Sequence, residues 1–176
     1  FFLLTISFFI FCIFWTLFLG FATPLLLFSG FIFGKWWGVS IVLLSTSIGA
    51  VLLYILAGIF FRQFIEEKLA PKFSNLKEHF NKNEIIYFMF FRFIGGGGTP
   101  YPVQNILPIL FNMKIKNYFL ATIAGSFPSM FVSVSLGSGI EKVIDQNDKL
   151  NFFTVVSSPD IYLPIFGFII IIFITI

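Results

Sequence analysis

Long runs of apolar residues without charge dominate this chain. The first 34 residues contain no charged side chain, and residues 37–61 form a second uncharged run. A helix of about 20 apolar residues is long enough to cross the hydrocarbon core of a bilayer. Because the apolar positions are continuous and do not alternate, the pattern predicts membrane-spanning helices.

The first apolar run is too long for one upright helix and too short for two. Gly20 ends a first transmembrane helix over residues 1–20, and Pro24 begins a shorter piece. That piece has only about a dozen residues, too few to cross a bilayer. We therefore predict a re-entrant half-helix shaped by Pro24, Gly30 and Gly34. A single long, tilted helix that is kinked at the proline is the alternative.

The next part of the chain combines a second span with a surface segment. Residues 37–61 complete a first half, residues 21–61, made of the re-entrant element and a transmembrane helix. In residues 62–84, lysines alternate with glutamates, and apolar residues recur at intervals of three and four. This pattern is typical of an amphipathic helix at the membrane surface, with Pro71 as its candidate break.

Residues 85–139 predict a second half of the same kind. Arg92 interrupts an apolar run, and the glycines and prolines that follow are not tolerated in a straight lipid-facing helix. We therefore predict a re-entrant hairpin with half-helices over residues 85–94 and 103–111, and then a transmembrane helix over residues 117–139. The turn of this hairpin contains Gly95, Gly96, Gly97, Gly98, Pro100 and Pro102.

The C-terminal part begins with a polar linker, residues 140–160, and residues 161–176 start a last transmembrane helix. Because the sequence begins at Phe1 without methionine and stops within an apolar run, we expect it to be trimmed at both ends. If both half-elements return to the side they entered, seven basic residues lie on the side of residues 62–84 and three on the other. This excess places the amphipathic helix and the N-terminus in the cytoplasm.

Composition narrows the class of protein. Hydrophobic residues make up 58% of the sequence and charged residues 11%, whereas soluble domains average about 45–50% and about 25%. These values argue against a soluble enzyme, a nucleic-acid-binding protein and a disordered chain. The positive-inside rule explains the net charge of +3. One cysteine, Cys12, and one histidine, His79, provide no disulfide, metal centre or nucleophile–base pair, so we expect no enzyme, metal or cofactor.

A weak internal repeat relates the two halves. Each half has the same order of parts: a half-element, a short basic turn and a full span. Because the two half-elements enter from opposite faces, the halves are inverted relative to each other, as in many secondary transporters with a site at mid-membrane. An offset of 76 residues aligns Thr23 with Thr99, Pro24 with Pro100, Thr46 with Thr122, and Gly49 with Gly125.

Arg92 is the residue most strongly marked for function. A charged group at membrane depth costs about 2.5–3.5 kcal/mol on insertion scales, and a planar guanidinium suits a phosphate. Backbone N–H groups of the glycine tetrad can form a concavity for the same anion. The alternatives are that Arg92 reaches the lipid headgroups or bonds freed carbonyls, and that the glycines only reverse the chain. Gln104 and Asn105 either bind a headgroup or satisfy carbonyls released by the prolines.

Residues 24–139 resemble the DedA family, also called the VTT-domain or SNARE-associated Golgi protein family. In the first half the resemblance rests on Gly30, Phe31, Ile32, Phe33, Gly34, Gly38, Gly49, Ala50 and Tyr54. In the second half it rests on Phe88, Arg92, Pro100, Tyr101, Pro102, Asn105, Phe119, Ala121, Thr122, Gly125, Pro128, Leu136 and Gly137.

The resemblance implies a polytopic membrane protein with two re-entrant hairpins that face each other. It also implies lipid-related work, either flipping or scrambling of phospholipids or recycling of a polyprenyl-phosphate carrier. Some members resemble proton-coupled transporters, and many bacterial members carry acidic residues in the first re-entrant segment. This chain has no Asp or Glu before Glu66, so it is similar to the less acidic branch.

The sequence therefore predicts an all-α, polytopic transmembrane protein with two inverted re-entrant half-helix hairpins. We expect a multi-pass protein of the inner membrane that moves phospholipid or polyprenyl-phosphate-type lipid between leaflets. Ion-coupled transport of a small solute and membrane organisation without transport are the alternatives. Its expected partners are membrane lipids and their phosphorylated headgroups, without nucleic acid, and a homo-oligomer is compatible with the sequence. The expected binding residues are Arg92, Gly95, Gly96, Gly97, Gly98, Pro100, Gln104 and Asn105.

Overall fold

The computed structural model describes residues 1–18 and 22–145, together with residues 157, 159, 162, 163, 165–167, 169 and 170. These residues form helices and connecting turns, and no strand occurs among them. The all-α prediction is confirmed for this part of the chain. The predicted last helix, residues 161–176, and most of the preceding linker lie largely outside the described residues.

Six α-helices and two 3₁₀ segments follow one another in the described part of residues 1–145. The α-helices are α1 (Phe2–Phe18), α2 (Thr23–Phe60), α3 (Arg62–Lys82), α4 (Glu84–Phe93), α5 (Tyr101–Ile106) and α6 (Ile115–Asp145). The 3₁₀ segments are Gly95–Gly98, between α4 and α5, and Leu107–Phe111, between α5 and α6.

Two of the described helices are long and apolar enough to cross a membrane, by length and composition. These are α2, with 38 residues, and the part Ile115–Glu141 of α6, with 27 residues. The first helix, α1, is also apolar but has only 17 residues. The two long helices contain the spans that the sequence predicts over residues 37–61 and 117–139.

The chain separates into two compact units. The first unit consists of Phe1–Phe21 and Leu44–Ser126, so it contains α1, α3, α4, α5 and both 3₁₀ segments. The second unit consists of Ala22–Leu43 and Phe127–Ile176. Arg92 therefore belongs to the first unit, and the residues predicted to shape the first half-helix belong to the second.

A sharp break divides α2 within the second unit. Gly34 has φ +73° and ψ 176°, a conformation that glycine adopts without steric cost. A Cβ atom added to Gly38 would lie 2.6 Å from the carbonyl oxygen of Ser29, whereas a straight helix would separate these residues by about 13 Å. The chain therefore turns back at Gly34, where the sequence predicts the end of the half-helix.

The piece of α2 before this break packs closely on α6. A Cβ atom added to Gly137 would lie 2.9 Å from the carbonyl carbon of Leu27. One added to Gly30 would lie 2.9 Å from the carbonyl carbon of Val134. Small residues at such positions let helix backbones approach each other, so Gly30 is a packing residue of the second unit.

In the first unit, α3 packs against α4 and against the second 3₁₀ segment. Phe80 of α3 is buried, and its ring centre lies 4.2 Å from that of Phe111. The backbone dihedral angles of α3 are non-helical at Phe73, two residues after Pro71. This position is close to the break that the sequence predicts. Ile65 is buried as well, whereas Phe64 is exposed, so the apolar face of α3 packs on the protein in part.

Two helix boundaries differ from the sequence prediction. The return half-helix expected over residues 103–111 is divided into α5 and a 3₁₀ segment. Pro108 explains the division, because it supplies no backbone N–H for an α-helical hydrogen bond. The span expected over residues 117–139 starts earlier and ends later as α6, so the first residues of the expected polar linker are helical.

Two helix contacts in the first unit are related by the offset of 76 residues seen in the sequence. In each contact, a glycine faces the carbonyl oxygen of one residue and the Cβ atom of the residue three positions later. A Cβ atom added to the glycine would lie 2.8 Å from that Cβ atom in both contacts. The repeat thus extends to α1, which contacts α2 as α4 contacts α6. The equivalent residues are Ile13 and Met89, Thr16 and Arg92, and Gly49 and Gly125.

Gly125→Ala is expected to lower the free energy of unfolding by about 1–3 kcal/mol, because the methyl group overpacks the contact between α4 and α6. Gly58→Ala is the matched control, since nothing lies within 4 Å of a Cβ atom added there. Alanine at that helical position is expected to leave stability unchanged or raise it by up to about 1 kcal/mol. Thermal unfolding in detergent compares the two variants, and equal effects would contradict the close contact.

Candidate functional site

Arg92 lies in the last turn of α4, and only 4% of its surface is exposed. Its Nη2 atom donates hydrogen bonds to Oδ1 of Asn105, at 2.5 Å, and to the hydroxyl of Tyr118, at 3.1 Å. The Tyr118 hydroxyl in turn donates to the backbone carbonyl oxygen of Asn105, at 3.2 Å. One buried hydrogen-bond network therefore joins α4, α5 and α6.

Aromatic rings surround the guanidinium of Arg92. Its central carbon lies 5.1 Å from the ring centre of Phe88, 5.5 Å from that of Tyr101 and 5.9 Å from that of Tyr118. Aromatic faces attract cations, so these rings stabilise the buried charge without neutralising it. We refer to Phe88, Arg92, Tyr101, Asn105 and Tyr118 together as the Arg92 site.

The Arg92 site contains buried donors without acceptors. The Nε and Nη1 atoms of Arg92 and the Nδ2 atom of Asn105 make no hydrogen bond among the described residues. No acidic side chain in the same part of the chain forms an ion pair with Arg92. Buried polar groups are nearly always hydrogen-bonded, and buried cations are normally paired. The unused N–H groups therefore match a ligand that supplies negatively charged oxygen atoms.

The position of α4 is fixed at its N-terminus. Asn83 caps the helix, because its Oδ1 atom accepts a backbone N–H of the first turn at 3.2 Å. Glu84 accepts hydrogen bonds from the side-chain amide of Asn117 and from the backbone N–H of Lys114. These bonds tie the start of α4 to the start of α6. They place Arg92, about two turns further along α4, against the first turns of α6.

The predicted glycine turn has a structural partner in Gln104. The glycine tetrad forms the 3₁₀ segment Gly95–Gly98, in which Gly95 and Gly98 are exposed and have positive φ. The Nε2 atom of Gln104 donates to the carbonyl oxygens of Gly95, at 3.1 Å, and Thr99, at 2.8 Å. These bonds agree with the second of the two roles that the sequence leaves open for Gln104, in which it satisfies backbone carbonyls. Gln104 therefore stabilises the glycine turn. Its neighbour Asn105 is the amide that contacts Arg92.

The prolines that the sequence identifies lie near helix starts, and two of them line apolar cavities. Pro100 precedes α5, and Pro102 lies in its first turn, where a missing N–H leaves no helical bond unmade. Pro102 also lines an apolar cavity of about 340 Å³ in the first unit. In the second unit, Pro24 lines an apolar cavity of about 420 Å³ together with Gly137 and Ile140.

Two tyrosines of the Arg92 site are not identified as binding residues by sequence analysis. Tyr118 is fully buried and contacts Arg92 from 26 positions further along the chain. Tyr101 stacks over the same guanidinium from the start of α5. The sequence gives little indication that these tyrosines contact Arg92, because each is a single hydroxyl-bearing ring in a sequence rich in aromatic residues.

Comparison with known proteins agrees with the resemblance noted in the sequence. A family model described as the VTT domain matches residues 21–139, a stretch that includes every residue of the Arg92 site. No solved structure matches the chain. The VTT domain is the domain of the DedA and SNARE-associated membrane proteins. Because the match covers more than half of the sequence, the chain belongs to the VTT domain family of membrane proteins.

Proposed function

We propose that this protein moves lipids with a phosphate headgroup between the leaflets of a membrane, and that Arg92 binds the phosphate. The observation that carries the proposal is a buried guanidinium whose Nε and Nη1 atoms have no acceptor among the described residues. Members of this family are commonly assigned as transporters or lipid flippases, which supports the same conclusion. We also propose that it is a multi-pass protein of the inner membrane with two re-entrant hairpins.

The chemistry of Arg92 suits a phosphate in particular. Guanidinium N–H groups point outward in one plane and form charge-assisted hydrogen bonds to phosphate oxygens. In a buried site such bonds are stronger than in water, because the surroundings screen them less. Asn105 adds a further unused donor, Nδ2, beside the guanidinium. The site can therefore hold a headgroup away from water while the lipid changes leaflet.

Lipid access requires a change of conformation, because Arg92 is almost fully enclosed. The element suited to this movement is α5, which carries both Tyr101 and Asn105 of the site. Its six residues lie between the glycine tetrad and the second 3₁₀ segment, and neither flanking segment is a regular α-helix. Displacement of α5 would expose Arg92 to a headgroup and its return would enclose it.

Reconstituted vesicles with a fluorescent phospholipid in one leaflet test this proposal. We expect the parent chain to move the lipid to the other leaflet without an ion gradient. Arg92→Lys is expected to slow this movement by at least about tenfold, because an ammonium lacks the planar donor geometry. The matched control is Arg62→Lys, since Arg62 is exposed and paired with Glu66, and its rate should stay at the parent level.

Other outcomes of this experiment would overturn the proposal in distinct ways. Lipid movement that depends strictly on an ion gradient would indicate coupled transport and contradict movement without a gradient. No lipid movement by the folded parent chain would indicate a membrane-organising role. Equal rates for Arg92→Lys and Arg62→Lys would remove Arg92 from the binding site.

A further inference from the structure

The Arg92 site carries a single formal charge. The groups that face its guanidinium are Phe88 from α4, Tyr101 and Asn105 from α5, and Tyr118 from α6. Apart from the guanidinium, these side chains are two phenols, one amide and one phenyl ring, and none of them carries a formal charge. No lysine, histidine or carboxylate among the described residues contacts the guanidinium. The net charge of the site is therefore that of one arginine.

The buried atoms of the site that have no hydrogen-bond partner are all nitrogens. The atoms without partners are the nitrogens Nε and Nη1 of Arg92 and Nδ2 of Asn105, and all of them are donors. The Oδ1 atom of Asn105 accepts one hydrogen bond, from Arg92. The hydroxyl of Tyr118 accepts from Arg92 and donates to a backbone carbonyl. The site therefore offers a ligand several donors around a single positive charge, so the charge of the ligand decides how well it is compensated.

We propose that the Arg92 site selects a phosphate with one negative charge, which a diester has throughout the physiological pH range, and disfavours the doubly charged form of a phosphate monoester. This inference rests on the proposed function and narrows its substrate class. A diester neutralises the single guanidinium and offers only acceptors. A doubly charged monoester would leave one uncompensated charge in a buried site, which is strongly unfavourable. A singly protonated monoester has the right charge, so a monoester should bind better at low pH, where this form predominates.

The selection separates the two lipid classes that the sequence leaves open. Glycerophospholipids with a headgroup alcohol are phosphate diesters, whereas polyprenyl monophosphates are monoesters. The same chemistry is present in small water-soluble esters, so binding and lipid movement can be tested separately. Dimethyl phosphate and methyl phosphate represent the two classes in solution. Phosphatidylglycerol and phosphatidic acid with identical acyl chains represent them in a membrane.

The sequence offers a direct reporter of binding. Arg62 and Arg92 are its two arginines, so the Arg62→Lys chain labelled with ¹⁵N-arginine gives one Nε–H signal, that of Arg92. We expect dimethyl phosphate to shift this signal with equal affinity at about pH 5 and about pH 8. Because the second ionisation of a phosphate monoester has a pKa of about 6, methyl phosphate should bind at least about tenfold more weakly at the higher pH.

The membrane experiment uses fluorescent lipids in reconstituted vesicles at about pH 8. At this pH a larger fraction of phosphatidic acid is doubly charged than at neutral pH. Phosphatidylglycerol is expected to change leaflet at least about tenfold faster than phosphatidic acid. Asn105→Asp should abolish the difference by slowing the diester, since its carboxylate would pair with Arg92 and displace the ligand. Thermal unfolding in detergent reports whether that variant is folded.

The outcomes separate this inference from the proposed function. If neither ester shifts the Arg92 signal and neither lipid moves, the phosphate-binding function itself is wrong. If methyl phosphate binds at about pH 8 as tightly as dimethyl phosphate, or phosphatidic acid moves as fast as phosphatidylglycerol, the selection for a diester is wrong and phosphate binding stands.

Discussion

Arg92→Met is expected to slow lipid movement by at least about a hundredfold and to leave the folded chain as stable as the parent chain, or more stable. The loss of rate follows because each hydrogen bond from a charged donor to the phosphate contributes about 1.5–3 kcal/mol, and about 1.4 kcal/mol is a factor of ten. Stability is kept because the removal of a buried cation with unused donors is favourable and offsets the loss of its hydrogen bonds to Asn105 and Tyr118. Methionine also packs well against the three surrounding rings.

Thermal unfolding in detergent and lipid movement in vesicles together decide this prediction. Arg62→Met is the control for loss of an arginine, because its exposed position predicts little change in either quantity. A large fall in the unfolding temperature for Arg92→Met would show that the arginine mainly links α4, α5 and α6. That result would favour the structural alternative that the sequence leaves open.

Tyr118→Phe is expected to slow lipid movement by about tenfold while the buried ring is retained. Its hydroxyl is one of two acceptors for Nη2 of Arg92, and a hydrogen bond to a charged group contributes about 1.5–3 kcal/mol. Without this acceptor the guanidinium is held only by Asn105 and rotates more freely. The NMR signals of the Nη2 hydrogens should therefore broaden by faster rotation about the bond from the central carbon to Nη2.

Tyr54→Phe is a closely matched control for this prediction. The Tyr54 hydroxyl also donates to a backbone carbonyl oxygen, that of Met113 at 2.8 Å, and its ring stacks on Tyr118. It has no described hydrogen bond to Arg92. If both variants slow lipid movement equally, or if the rotation of Nη2 is unchanged in Tyr118→Phe, the hydroxyl of Tyr118 has only a structural role.

The sequence predicts most of the helical order because the signals are local. Uncharged runs identify the long helices, and Gly34 marks the break in α2 because a single residue with positive φ is enough to turn the chain. The division of residues 103–111 is also local, since it follows from Pro108. The extended end of α6 has no comparable signal, because polar residues form helices and linkers alike.

The candidate site is predicted less completely, because its contacts are long-range. Arg92 is conspicuous as a lone charge in an apolar run, and Asn105 is named with it in the sequence. Their pairing depends on how α4 and α5 fold together, which spacing does not reveal. Tyr118 joins from a third helix. Gln104 shows most clearly what the sequence does not reveal. It is next to Asn105 in the sequence, and yet its hydrogen bonds stabilise the glycine turn.

The offset of 76 residues pairs Arg92 with Thr16. Thr16 is as deeply buried, with 2% of its surface exposed, and it makes the equivalent contact with a glycine. Duplication of one ancestral unit would account for this correspondence, with the positive charge present in only one copy. The two copies have therefore diverged in chemistry while their helix contact is the same. If Arg92 binds a phosphate as proposed, we expect an anion at Arg92 and none at Thr16.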